Sequence, residues 1–203
     1  PWFELQKRDV RESEVQEVSL MIPETLFKLE SYKKAQNNYQ NAVSLYKLEI
    51  DTLSAAIEAT RAGKITTSIL VKGMLEENPW NDFIMQPSAL PEARYFPWYM
   101  RNEEFRQAVS LYREALALRN MMVSQKESLD DYGLSHVVTA RYTEKISGNI
   151  AEIDDTITKV EDYIQNFAIN WLENRKASLN GYLSQASLGS AKVYHHAAER
   201  GDQ

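Results

Sequence analysis

Histidines and carboxylates are the groups most able to do chemistry, and this chain arranges few of them to do so. His195 and His196 form the one cluster among three histidines. Neighbours on a helix point about 100° apart, so the pair cannot chelate one ion unaided and reads as an exposed polar end. No Glu-x-x-His spacing occurs, which removes the di-iron bundle pattern. Asp154-Asp155 and Glu161-Asp162 interleave with apolar residues and are expected on the solvated outer face of a helix. Ser31-Tyr32-Lys33-Lys34 and Ser44-Leu45-Tyr46-Lys47 match a bare Ser-x-x-Lys pattern without the companion motifs of a hydrolase. Gly63-Lys64 lacks the glycine-rich loop and hydroxyl of a phosphate cradle. No catalytic, cofactor-binding or metal-ligating residue is assigned, and the chain reads as a non-enzyme.

Aromatic side chains are the remaining candidates. Trp80, Phe83, Tyr95, Phe96, Trp98 and Tyr99 crowd a stretch that holds four of the six prolines. A loop this long and this aromatic is expected to pack as a plug against helices. The alternative is a ligand-binding module, in which the loop 79–99 lines a groove for a peptide or a glycan. These six residues are the candidate partner-binding set.

Long helices must carry that loop. In residues 138–199 the apolar positions Ile146, Ile150, Ile153, Ile157, Val160, Ile164, Phe167 and Trp171 alternate by four and three, making one seam along a helix. The segment reads as one very long helix or two joined by a bend. Its second half carries Gly181, Ala186, Ser187, Gly189, Ser190 and Ala191, small residues suited to close helix contact or a bend. Upstream, residues 2–21 read as a short helix with Leu5, Val15, Val18 and Leu20. Pro23 is expected to open a second helix of about 38 residues, roughly 57 Å long, that stops at Gly63 in a left-handed C′ conformation. Two heptad lines run along it: Leu29, Gln36, Val43, Ile50 and Ile57, and Tyr32, Tyr39, Tyr46 and Leu53. A short helix over 66–77 follows. Asn102 should cap the next, which runs to Tyr132 with Phe105, Val109, Tyr112, Leu116, Met122 and Leu129 on one face. Gly133 and Ser135 make a short connection that forces an antiparallel hairpin. The final helix outruns that partner, so its second half is expected to pack on the first helices.

Composition sets the outer bounds. With 203 residues, 43% hydrophobic and 26% charged, the chain can bury a core. A net charge of −6 without a basic run argues against nucleic acid, and the absence of Cys removes disulfides and thiolate metal sites. No apolar run reaches the roughly 18 residues of a membrane span. The opening Pro1-Trp2-Phe3-Glu4 is not a signal sequence and looks like a cut inside a longer protein.

Two stretches echo tetratricopeptide helices: residues 39–46 (YQNAVSLY) and 105–116 (FRQAVSLYREAL). Together with 53–63, with Leu90-Pro91-Glu92-Ala93-Arg94-Tyr95, with 105–119 and with 179–186, they make the chain resemble the C-terminal part of large exported tetratricopeptide-repeat proteins of proteobacteria. The likeness covers most of the chain after residue 30. Phe96-Pro97-Trp98 departs from a more aliphatic run, and the Gly and Ser after Ala186 replace bulkier residues. The resemblance implies a periplasmic or envelope location, with the cytoplasm as alternative, and a scaffold role binding a protein partner. It brings no assigned catalytic residue.

The resulting expectation is an all-α fold with tetratricopeptide-like helices and a long antiparallel coiled coil or bundle. Its parts are N-terminal helices at 1–63, a short helix and aromatic loop at 64–100, and a helical hairpin at 101–203. The expected role is a protein-protein interaction or scaffold module without cofactor. A self-associating coiled coil, hence a homo-oligomer, is the further alternative.

Overall fold

The computed structural model describes residues 11–63, 65, 90–129 and 136–199. Among them the fold is all-α: α1 (Ser13–Lys28), α2 (Tyr32–Arg61), a 3-10 turn (Pro91–Ala93), α3 (Phe96–Tyr99), α4 (Glu103–Glu127) and α5 (His136–Glu199). The expected helix over 66–77 and the connection at Gly133 and Ser135 lie outside the described residues. Two compact units form: Pro1–Ile57 with Leu172–Gln203, and Glu58–Trp171.

In the first unit α1 corrects the reading of Pro23, which sits inside the helix and does not start one. Val15, Val18 and Ile22 recur by three and four and are buried to 8% exposure or less. Burying each is worth about 1.5–3 kcal/mol, enough together to offset the roughly 3 kcal/mol cost of an interior proline. The long helix expected from Pro23 to Gly63 is also broken, between α1 and α2. Ser31 N–H donates to the Leu26 carbonyl at 2.9 Å and Glu30 N–H to the Phe27 carbonyl at 3.0 Å. This pair of bonds is a Schellman motif, and Glu30 takes its left-handed position with φ 58° where glycine is usual. The turn folds α2 back along α1, where the Tyr46 hydroxyl donates to the Gln16 carbonyl at 2.5 Å.

The buried line of α2 in this unit is Ala35, Tyr39, Ala42, Tyr46, Glu49, Leu53 and Ala56, alternating by four and three. The tyrosine line of the sequence is therefore central, but its companion differs from the apolar line expected. Of the expected line Ile57 is buried but Leu29 is 69% exposed, and Ala35, Ala42 and Ala56, with Glu49, take the companion positions. Alanine lets the backbone of a neighbour approach, which a row of Val and Ile would prevent. That neighbour is α5, running antiparallel. Gln36 Nε2 donates to Ser190 Oγ at 2.9 Å, the Tyr46 and Tyr182 rings lie 6.0 Å apart, and Gly189 faces the Tyr39 ring. On α5 the fully packed positions Leu172, Leu179, Ala186 and Val193 recur every seven residues. Between them fall Arg175, Tyr182 and Gly189, with His196 beyond the last, polar or small residues that leave no apolar pattern on this side of the seam. Arg175 continues it by donating to the Arg11 carbonyl at 2.6 Å. Close contact falls at Gly189, while a Cβ added at Gly181 would meet no neighbouring element within 4 Å.

In the second unit α4 pairs antiparallel with the first part of α5. Asn102 caps α4 as its sequence position suggests, its side chain accepting from Phe105 N–H at 2.9 Å. Phe105, Val109, Tyr112 and Ala115 are buried against a stripe that includes Ile157, Val160, Ile164 and Ala168. Gly63 closes α2 with φ 73°, its N–H bonded to the Thr60 carbonyl at 2.9 Å. α5 is one helix of 64 residues rather than two separate helices.

Candidate interaction surface

Within the second unit, the aromatic set can be followed for four of its six members; Trp80 and Phe83 lie outside the described residues. Pro91 and Pro97 start the 3-10 turn and α3, and so hold this stretch in compact turns. Tyr95, Phe96 and Tyr99 are 1%, 2% and 0% exposed. They fill the space beside α4 and α5: Tyr99 stands 5.3 Å from Trp171 in a T-shaped pair, Tyr95 5.8 Å from Trp171, and Phe96 5.9 Å from Phe105. Phe105 and Phe167 close the cluster at 4.9 Å. Trp98 is the one of the four left half-exposed, with the Arg101 guanidinium 5.7 Å over its ring. Of the four described members, Tyr95, Phe96 and Tyr99 are interior and Trp98 alone is open to a partner.

The Tyr99 hydroxyl is buried and finds no hydrogen-bond partner among the described residues. Burial, and then the nearby Tyr95, push its pKa well above the ordinary tyrosine value.

Carboxylates on α5 divide in a way the sequence reading did not foresee. Asp155 and Asp162 are exposed, as expected of the outer face. Asp154 and Glu161, one heptad apart, are half-buried and turn toward α4. Tyr112 donates to Glu161 at 2.5 Å and Arg119 pairs with Asp154 at 2.5 Å. The seam positions Ile157 and Val160 sit between them and Ile164 follows, so the carboxylates flank the seam and lock its register. Burial first, and then the bond to Glu161, raise the Tyr112 pKa. A neutral phenol donating to a carboxylate here links the two helices.

His195 and His196 are exposed at the end of α5 and both approach Glu199, at 3.4 and 3.8 Å. His196 also lies 5.4 Å from the Phe27 ring and 6.5 Å from Tyr32. Among the described residues no three His, Cys, Asp or Glu side chains gather in a metal-binding group. No described helix is long and apolar enough to cross a membrane.

What remains exposed and apolar on α4 is a second stripe. Leu111, Leu118 and Met121, spaced by seven and three, are 46%, 41% and 51% exposed. They share a helical face opposite to Phe105, Val109 and Tyr112. Sequence reasoning passed over this stripe because it searched α4 for one apolar face, and this helix carries two.

No protein-family model matches the chain, and no curated protein or solved structure matches it either.

Proposed function

We propose that this chain is a non-enzymatic interaction module of a larger cell-envelope tetratricopeptide-repeat protein, and that the second apolar face of α4 packs against a helix of a protein partner. One observation carries the reading: Leu111, Leu118 and Met121 keep heptad spacing on the solvent side of a helix whose other side is already buried. Tetratricopeptide helices use two faces in this way, one for their own pair and one for the neighbour. Residues 105–116, which carry the resemblance to such repeats, lie in this helix.

The test is capture from an envelope fraction on wild-type protein and on the triple variant Leu111→Lys, Leu118→Lys, Met121→Lys. The substituted positions are exposed, so circular dichroism should show the helical fold retained. A protein held by wild type through stringent washing and lost from the variant supports the reading. Equal retention by both, or turnover of a substrate by the isolated chain, overturns it. Light scattering on the same pair distinguishes a second copy as partner: a dimer mass that the variant loses would make this face a homo-oligomer contact. An antibody raised against the chain should find its antigen in the periplasmic or membrane fraction, and a cytoplasmic band would refute the envelope assignment.

A further inference from the structure

We draw no further inference here: the strongest candidate, the groove of about 560 Å³ lined by Lys33 and Lys34 at the start of α2 and by Val193, Tyr194 and Ala197 near the end of α5, rests on a helix N-terminus and two surface lysines, with no second observation in the structure that points to an anion or any other ligand.

Discussion

Replacing Gly189 with alanine tests the close approach of α5 to α2 in the first unit. A Cβ built at Gly189 would lie 2.3, 2.4 and 2.7 Å from three atoms of the Tyr39 ring. Real carbon contacts are near 3.5 Å or longer, so the ring or the helix must move. Tyr39 is 5% exposed, so its ring has little room to swing away. Overpacking of this kind costs about 1–3 kcal/mol, against which alanine regains about 1 kcal/mol of helix propensity. A net loss of up to about 2 kcal/mol is expected. Gly181→Ala is the internal control, because Gly181 is exposed on the same helix with nothing within 4 Å of the added carbon. There only propensity acts, and the variant should gain about 0.5–1 kcal/mol. Urea unfolding followed by circular dichroism measures both, read as midpoint shifts at constant slope. Opposite signs for one chemical change at two sites on one helix would support the packing described. If Gly189→Ala is stabilised as much as Gly181→Ala, Tyr39 does not sit on Gly189 and the register of α2 on α5 is wrong.

Three further outcomes follow from particular residues. Glu30→Gly should stabilise the protein by about 0.5–1 kcal/mol, since relief of the left-handed strain exceeds the extra chain entropy of glycine; Glu30→Ala, which keeps the strain, should not, and equal midpoints for the two would count against the turn. Tyr99→Phe removes a buried hydroxyl that has no partner among the described residues and should leave stability unchanged or raise it by up to about 1 kcal/mol, whereas a clear loss would show that the hydroxyl is hydrogen-bonded. Raising the pH should unfold the protein as tyrosines ionise. Burial raises the folded-state pKa of Tyr46, Tyr99 and Tyr112 above the unfolded value near 10, so their contribution is intact below pH 10 and is lost as pH climbs through the folded values. Because Tyr142 and Tyr194 are exposed, only the last part of the phenolate absorbance should rise together with the loss of helical signal, and complete ionisation of all 11 tyrosines with the helices intact would contradict the burial of these rings.

Much of the local structure was written in short-range signals. Gly63 takes the one backbone conformation that costs it nothing, Asn102 has the side chain a helix start needs, and the seam from Ile146 to Trp171 has the period of a helix in contact along one side. The tyrosine line at Tyr39 and Tyr46 was equally plain. Other features depended on distant partners. Nothing near Pro23 in sequence says that the helix continues through it; that follows from Val15, Val18 and Ile22 having a surface to bury against. Glu30 is an unlikely residue for a left-handed turn and was chosen by the return of α2 along α1.

The aromatic stretch shows the same division. Its composition fixed that the rings would be used in packing or binding, since a chain cannot leave so many large apolar faces in water without consequence. Only the fold decided that Tyr95, Phe96 and Tyr99 turn inward onto Trp171 and Phe105 and leave Trp98 at the rim. By itself, then, the sequence determined an all-α chain of long helices, because hydrophobic period and capping residues act over a few neighbours. Which faces those helices share, why Ala42 and Gly189 matter more than Leu29, and why Asp154 and Glu161 turn toward α4 were decided by tertiary contact, where shape and partner charge act between residues far apart in the chain.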